Sequence, residues 1–327
     1  MHNQKVLTEQ EIITRYFSRH SADAGVEIGI GDDGAVVRPP KSSRLVITSD
    51  TLNEGVHFAP GCKPGDLGYK VLAVNLSDLA AMGAAPLWAS LNLSLADAEH
   101  VWLEGFSQGL FQLADRYGVR LIGGDVVRGP LSVSLYMVGF LEPDLMLTRS
   151  GARPGDFIYV SGTIGDAAMG VKLRDGIQHR KMAKADHEYF TLRLNRPEPK
   201  VNLGQEIVSC ASAAIDISDG LLSDLHQILL MSEVGAQIEL DQIPLSKAMR
   251  RQLKTDKDWH VVLTGGDDYE LMFTVCPEHQ DAIEMISEKT ACPTRCIGRI
   301  TQGKGIELSR SGQSFSLPDK LGFDHFS

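Results

Sequence analysis

The sequence has few cysteines, few basic residues and no uninterrupted apolar run, and each shortage excludes a class of protein. Five cysteines among 327 residues, widely spaced and odd in number, do not describe a disulfide scaffold. Only 32 Lys and Arg accompany 42 Asp and Glu, a net charge of −10, so the chain lacks the basic surface of a nucleic-acid-binding protein. The most apolar stretch, residues 71–95, contains Asn75, Asp78 and Pro86, so we expect a buried helix and a strand there and no membrane span.

Several familiar catalytic and cofactor motifs are also missing. There is no H-E-x-x-H and no pair of C-x-x-C motifs, which disfavours a zinc site. There is no G-x-S-x-G, which disfavours a serine nucleophile, and no G-x-x-x-x-G-K-[ST], which excludes a P-loop. The first residues contain no long apolar segment of the signal-peptide type, so we expect a cytoplasmic protein.

The length and the mixed patterns predict two α/β domains. At roughly 150 residues per domain the chain is long enough for two, and 43% apolar residues is an ordinary globular composition. Strand and helix patterns alternate in both halves, so we expect α/β domains of the α+β type with mixed sheets. Turn-forming residues at 148–156 place the boundary, which predicts an N-terminal domain over 1–147 and a C-terminal domain over 148–327.

Apolar spacing predicts the individual elements. A capping-box pattern, Thr8 with Glu11, begins the first helix, and Gly118 closes the third. Residues 175–200 are polar and charged and are expected to form a solvated helical excursion. Helices are predicted over 9–19, 66–83, 97–117, 164–174, 218–233 and 278–290, and strands over 45–49, 87–95, 119–122, 131–140, 157–160, 236–240, 271–275 and 296–300.

Aspartates recur beside Gly or Ser between apolar segments. They occur in GIGDDG, TSDTL, NLSDLAAMG, IGGDVVRG, IDISDGL and TGGDDYEL. Each alone has an ordinary structural explanation, because Asp accepts backbone N–H bonds in turns and at helix N-termini, and Ser218-Asp219 suits such a cap. Taken together, at the ends of apolar strands, they predict one place where acids distant in sequence meet.

The residue types at these positions favour a metal–nucleotide site. Asp78 lies in the most apolar stretch, where an unpaired carboxylate would cost several kcal/mol, so a cation or a buried hydrogen-bond network is expected beside it. Donors that are all oxygen suit Mg²⁺ or Mn²⁺. Mg²⁺ commonly shares its ligand shell with substrate phosphates. We therefore interpret the acids as ligands of metal ions that accompany phosphates.

Three further features have two readings each. Gly29 to Gly34 match G-x-G-x-x-G, but the preceding AGVE is a poor strand pattern and the following AVV predicts a strand instead of a helix, so we reject a dinucleotide-binding fold. His57 could contact a substrate phosphate or lie in a surface loop. Arg149 could reach a phosphate or be solvated.

Eight strings of the sequence, in order, resemble the thiamine-monophosphate kinases. They are GIGDDGAVV, ITSDTLNEGVHF, YKVLAVNLSDLAAMGAAP, LIGGDVVRGPLS, LTRSGARPGD, AIDISDGLLSDL, LTGGDDYELMFT and GFDHF. The resemblance covers nearly the whole chain and extends to a superfamily with aminoimidazole ribonucleotide synthetase and selenophosphate synthetase. It implies an N-terminal domain that binds ATP and Mg²⁺ and forms a homodimer, and a C-terminal domain that completes the active site.

The resemblance also implies the reaction and its residues. ATP would phosphorylate thiamine monophosphate to thiamine diphosphate by direct, in-line, Mg²⁺-assisted transfer without a general base. Substrate contacts would come from His57, Asp267 and Phe323, although the family usually has Glu at the second of these positions and Tyr or Trp at the third. Metal ligands would be Asp33, Thr48, Ser49, Asp50, Asp78, Asp125, Asp216 and Asp219, and ATP contacts Gly124, Asp125, Arg149 and Ser218.

Three alternatives stay open at this point. The chain could be another ATP-dependent member of the superfamily, although selenophosphate synthetases have a reactive residue near the N-terminus and the first cysteine here is Cys62. It could be a non-catalytic sensor that binds Mg-ATP, or a metal-dependent phosphohydrolase. An assay with and without the phosphate acceptor distinguishes them.

Overall fold

The computed structural model describes residues 7–19, 25–177 and 181–325, which divide into two compact units. The first unit comprises Met1–Leu76 and Ala85–Asp144, and the second comprises Ser77–Ala84 and Leu145–Ser327. The main boundary between the two units, at residues 144/145, lies close to the expected boundary at 147/148. The segment Ser77–Ala84, which includes the last turn of a helix, belongs to the second unit. Among the described residues, no helix combines the length and apolarity that a membrane crossing requires.

A four-stranded sheet forms the centre of the first unit. Its order is β3-β6-β4-β5, with β4 and β5 parallel and the other pairs antiparallel. A two-stranded ribbon, β1 with β2, lies outside it. The strands are β1 (Val26–Ile28), β2 (Val36–Val37), β3 (Arg44–Asn53), β4 (Ala85–Leu95), β5 (Arg120–Arg128) and β6 (Ser132–Leu141), and the helices are α1 (Glu9–Ile12), which continues as a π-helical turn (Ile13–Phe17), α2 (Pro64–Ala81) and α3 (His100–Tyr117).

Helices α2 and α3 pack with their backbones in close approach. A Cβ on Gly109 would lie 1.9 Å from the carbonyl oxygen of Gly65, and one on Gly68 would lie 2.1 Å from that of Phe106. No larger residue fits either position without a shift of backbone. The predicted end of α3 is confirmed, because Gly118 adopts the left-handed conformation with φ 68°.

The predicted start of the first helix is confirmed. The Thr8 hydroxyl accepts the backbone N–H of Glu11, and the Glu11 carboxylate accepts that of Thr8. In contrast, the expectation of a poor strand before GIGDDG is wrong, since Val26–Ile28 form β1 and pair with β2. Three residues are too few for a periodic signal. The dinucleotide-binding fold is still rejected, because the Gly-rich turn is followed by a strand, β2, where that fold has a helix.

Strands β3 and β5 are longer than predicted, and this corrects the placement of two aspartates. Asp50 and Asp125 lie inside these strands, not at their ends. Strand β5 passes through Gly124 because its pairing with β4 continues to Asp125 opposite Asn92. Gly124 has φ 142°, and a Cβ there would lie 1.8 Å from a carbonyl oxygen of the neighbouring strand, so glycine allows this pairing.

The second unit is built on a seven-stranded mixed sheet covered by helices. Its order is β13-β12-β9-β11-β7-β10-β8, and β9 with β12 is its parallel pair. The expected α/β class with mixed sheets is therefore confirmed. The strands are β7 (Phe157–Ser161), β8 (Ala211–Ile217), β9 (Gly235–Glu239), β10 (Glu270–Val275), β11 (Thr294–Thr301), β12 (Gly305–Arg310) and β13 (Gln313–Phe315), and the helices are α4 (Asp166–Arg174), α5 (Lys184–Asn195), α6 (Val201–Ile207), α7 (Leu221–Ser232), α8 (Lys247–Gln252), α9 (His260–Thr264) and α10 (Gln280–Thr290).

The predicted excursion at 175–200 is partly helical. Helix α5 accounts for Lys184–Asn195, and its Phe190 is fully buried, so one side of the helix packs into the unit. Residues 178–180 of the predicted segment lie outside the described residues.

Candidate active site

Three predicted site residues of the first unit line one pocket. Asp33, Gly124 and Asp125 border a cavity of about 730 Å³, with the turn after β1 on one side and β5 on the other. Both carboxylates are exposed. The backbone N–H of Asp33 donates to the side chain of Asp32 at 3.0 Å, which orders the turn. Two carboxylates facing open space are hard oxygen donors of the kind that Mg²⁺ accepts.

The predicted residues of β3 lie at the other edge of the same sheet. Asp50 pairs with Leu135 of β6, Leu135 pairs with Leu91 of β4, and Leu91 pairs with Gly124 of β5. These four residues share one face, so Asp125 points to the opposite face. Two strands separate β3 from β5, which is roughly 14 Å at ordinary strand spacing. One chain therefore does not bring the Asp50 and Asp125 carboxylates to the same ion.

Thr48 and Ser49 follow the same alternation. Thr48 shares its face of the sheet with Asp50 and is half-buried, whereas Ser49 is exposed on the other face, opposite Tyr136. Three consecutive oxygen donors thus point alternately to two sides of the strand. Among the residues that the structure describes, no group of three or more Asp, Glu, His or Cys side chains lies close enough to hold a metal ion.

His57 lies in the turn that follows β3. The backbone N–H of Asn53 donates to its Nδ1 at 3.0 Å, and the Lys70 ammonium donates to its carbonyl oxygen at 3.3 Å. Because Nδ1 accepts a hydrogen bond, the proton of the neutral ring is on Nε2. The half-buried imidazole therefore has one fixed orientation and one N–H donor.

Asp216 of the second unit has a buried partner on the segment Ser77–Ala84. The Ser77 hydroxyl donates to Asp216 Oδ2 at 2.8 Å, and both residues are buried. Asp78 is the next residue of α2 and is half-buried, less enclosed than its apolar neighbours suggest. The structure thus places Asp78 and Asp216 on adjoining elements of one unit.

A buried carboxylate that sequence analysis missed holds the turn of Ser218 and Asp219. Asp224 Oδ2 accepts the backbone N–H groups of Ser218, Asp219 and Gly220, each at 3.1 Å. Helix α7 begins after Gly220, which makes no side-chain cap. The alternative interpretation of Ser218-Asp219 as a helix cap is therefore wrong. The acid that accepts the backbone N–H groups before α7 is Asp224, which lies within the helix. An acid on the apolar side of an amphipathic helix was the available signal.

Five predicted residues gather around this turn. The N–H of Phe323 donates to the carbonyl oxygen of Asp219 at 2.9 Å, and the N–H of Asp267 donates to that of Ser218 at 2.8 Å. Desolvation raises the pKa of the Asp219 carboxyl, and the charges of His325 and Arg149 oppose that rise. Ser218, Asp219, Arg149, Asp267 and Phe323 are thus neighbours in the second unit.

A second buried acid, Asp268, carries a testable pH dependence. Burial raises the pKa of its carboxyl to about 8, although the Gly165 N–H, Arg193 and the Ala167 N–H favour the ionised form, and Asp166 adds to the rise. The folded protein therefore keeps a proton that the unfolded chain releases above about pH 4. The contribution of Asp268 to the unfolding free energy is therefore greatest below about pH 4 and is lost as the pH rises through about 8.

We therefore expect the D268N variant to show a weaker decline of unfolding free energy between about pH 5 and about pH 8.5 than the unmodified protein. Urea denaturation at several pH values measures the unfolding free energy of both proteins. An identical pH dependence of the two proteins would contradict the assignment.

Comparison with known proteins identifies the family. The family profile described as AIR synthase related protein, N-terminal domain, matches residues 31–141, and the C-terminal domain profile matches residues 153–310. The thiamine-monophosphate kinase of Escherichia coli strain K12 is 46% identical over 323 residues, which cover 98% of each chain. The chain belongs to the thiamine-monophosphate kinase family. The resemblance carried by the eight sequence strings is thereby confirmed.

Solved structures of the family share the fold. The crystal structure of thiamine-monophosphate kinase from Stenotrophomonas maltophilia K279a superposes with a TM-score of 0.82 at 44% identity, covering 89% of this chain and 93% of the other. AaThiL complexed with AMPPCP and TMP superposes with a TM-score of 0.75 at 31% identity, covering 91% and 92%. The fold described above is thus that of the thiamine-monophosphate kinase family.

Proposed function

We propose that the protein transfers a phosphoryl group from ATP to thiamine monophosphate, giving thiamine diphosphate and ADP in thiamine diphosphate biosynthesis. The observation that carries the proposal is the grouping of Arg149, Ser218, Asp219, Asp267 and Phe323 around one turn, in a chain 46% identical to a thiamine-monophosphate kinase. A relative, AaThiL, has been solved with AMPPCP and TMP. An acceptor phosphate and a nucleotide are the two ligands that such residues suit.

We propose Mg²⁺ as the metal, because the predicted donors are all oxygen. The carboxylates of Asp33 and Asp125 face the open pocket of the first unit, and Asp216 has Ser77 beside it. When bound, Mg²⁺ screens phosphate charge and stabilises the charge on the transferred group. The residues that would hold it are Asp33, Thr48, Ser49, Asp50, Asp78, Asp125, Asp216 and Asp219.

The protein residues then bind and orient the two anions. Arg149 offers a planar guanidinium that can hold a phosphate with two hydrogen bonds. His57 offers the N–H of Nε2, because its Nδ1 is already bonded to Asn53. Phe323 is 50% exposed and offers an aromatic face to the cationic thiazolium ring of the acceptor. The acceptor phosphate is already ionised at neutral pH, so no general base is needed.

The assay follows ADP, thiamine diphosphate and inorganic phosphate with purified protein, Mg-ATP and thiamine monophosphate. We expect ADP and thiamine diphosphate in equal amounts, and neither product after chelation of the metal. ATP binding without turnover would indicate a sensor. Phosphate release without the acceptor would indicate a phosphohydrolase, and ATP use that needs a different acceptor would indicate another superfamily member.

We also propose a homodimer formed through the exposed face of the four-stranded sheet. This face carries exposed apolar side chains on three strands: Ile47 is 70% exposed, Val127 49%, Tyr136 46% and Leu45 45%. Exposed apolar side chains grouped on one face of a sheet commonly mark an interface. A second copy is the occupant that the family resemblance implies.

The I47E substitution is expected to shift the protein from dimer to monomer, because it would bury a charge in the interface. Analytical ultracentrifugation measures the mass. The V101E substitution is the matched control, since Val101 is 81% exposed on α3, outside the sheet face, and should leave the mass unchanged. A dimer that persists with I47E would exclude this face.

A further inference from the structure

The loop Gly265–Tyr269 of the second unit has an unusual backbone conformation. It connects α9 to β10 and contains two non-glycine residues with left-handed φ, Asp267 at 69° and Tyr269 at 51°. For residues with a Cβ this conformation is strained, and it persists only where surrounding contacts impose it. The residue between them, Asp268, is 1% exposed, so the loop has its buried anchor at its centre.

The side chain of Asp268 is bonded to the start of helix α4. Its Oδ2 accepts the backbone N–H of Gly165 at 2.5 Å, and its Oδ1 accepts that of Ala167 at 3.0 Å. Gly165 is the N-cap residue of α4, and Ala167 belongs to the first turn of that helix. Both oxygens of Asp268 are thus committed to one rigid element.

The two residues beside Asp268 are bonded to a different element. The N–H of Asp267 donates to Ser218 O and the N–H of Tyr269 donates to Ile217 O, each at 2.8 Å. The approach is so close that a Cβ on Gly266 would lie 2.2 Å from Ser218 O. The loop is therefore held from two sides, by its backbone on the turn after β8 and by the Asp268 side chain on α4.

This arrangement determines the direction of the Asp267 side chain. Asp267 is half-buried and has Asp219 within electrostatic range. Asp268 is buried against α4, whereas the electrostatic interaction of Asp267 with Asp219 places Asp267 on the side of the candidate site. Loss of the Asp268 anchor would allow the strained residues on either side to relax.

We propose that Asp268 is a positioning residue that fixes the strained loop Gly265–Tyr269 and thereby presents Asp267 to the phosphate acceptor. The proposal rests on the proposed function for its kinetic consequence. Its structural part, a loop held by the buried side chain of Asp268, does not depend on the reaction. An acceptor-side residue supported in this way should affect acceptor binding far more than nucleotide binding.

The kinetic test compares D268N with D166N. Asp166, on the first turn of α4, is as buried as Asp268. Its carboxylate accepts hydrogen bonds from the hydroxyl groups of Thr163, Tyr189 and Ser246, and it makes no hydrogen bond to the loop. We expect D268N to raise KM for thiamine monophosphate about 10-fold or more, with KM for ATP changed less than about 2-fold. D166N should lower thermal stability and leave both KM values near those of the unmodified protein.

The proposal would be overturned if D268N raised both KM values equally, or if D166N raised the KM for thiamine monophosphate as much as D268N does. Either result would show that Asp268 has only a structural role. A purely structural role predicts no difference between the two substrates.

Amide hydrogen exchange gives a readout that does not depend on activity, and its first measurement uses the unmodified protein alone. In the unmodified protein we expect the N–H groups of Asp267 and Tyr269 to exchange as slowly as those of β10, and in D268N at least about 10-fold faster. Fast exchange in the unmodified protein would overturn the proposal even if D268N does not fold. If the protein makes no thiamine diphosphate while these amides are protected, the proposed function fails and the anchoring of the loop stands.

Discussion

D50N is expected to lower kcat by about 10³-fold or more while the protein remains folded. The substitution keeps the shape of the side chain and removes its charge. Asp50 is half-buried in the middle of β3, and its backbone pairing with Leu135 does not involve the side chain. Asp50 would need its carboxylate to help hold Mg²⁺, since a neutral amide is a weaker ligand for that ion.

The measurement combines steady-state kinetics with thermal unfolding. D78N should show the same loss, because Asp78 is the predicted ligand on α2. D115N is the matched control: Asp115 is an exposed acid of the first unit whose partner is Arg19, and its replacement should leave kcat unchanged. Raised Mg²⁺ should partly restore D50N if the loss is one of metal affinity. Near-normal activity of both D50N and D78N would refute the metal assignment.

E270A is expected to lower the unfolding free energy by about 3–5 kcal/mol. Glu270 is 1% exposed at the start of β10 and lies between two cations, the Arg193 guanidinium at 2.8 Å and the Lys200 ammonium at 3.2 Å. The Ser161 hydroxyl donates to it at 2.6 Å. Alanine would remove the anion of this triad and leave two largely buried positive charges facing each other.

The size of this effect comes from the charges left behind. An intact buried ion pair contributes little net stability, because desolvation offsets its attraction, but an unpaired buried charge carries the whole desolvation cost. Urea denaturation measures the loss. E307A is the control, because Glu307 is exposed and bonded to Gln237, and its removal should change stability by less than about 0.5 kcal/mol. A loss below about 1 kcal/mol for E270A would show that water reaches the triad.

The elements predicted best were those whose signal is local. Helix α3 ends at Gly118 and the first helix begins at Thr8 as expected, because capping residues act on the backbone groups next to them. The bounds of β3 and β5 were predicted too short. Their continuation past Ser49 and Gly123 depends on pairing with strands that are distant in sequence, and single-sequence patterns do not contain that pairing.

The sequence by itself determined the family, the α/β class and the residue types of the candidate site. Eight strings in order identify the family, and the oxygen-donating residues beside Gly and Ser indicate a metal–nucleotide site. Both signals depend only on residues that are close together in the sequence. It also indicated Arg149, Ser218, Asp219, Asp267 and Phe323, which the structure places around one turn.

Only the tertiary structure decided which acids meet and which acids support them. The register of the first sheet separates Asp50 from Asp125, and the burial of Asp224 and Asp268 turns them into anchors of two loops. The sequence shows all four as aspartates of similar surroundings. Their roles differ because the groups that solvate or pair a carboxylate in a folded protein come from strands and helices brought together by packing, and that packing is set by the whole chain.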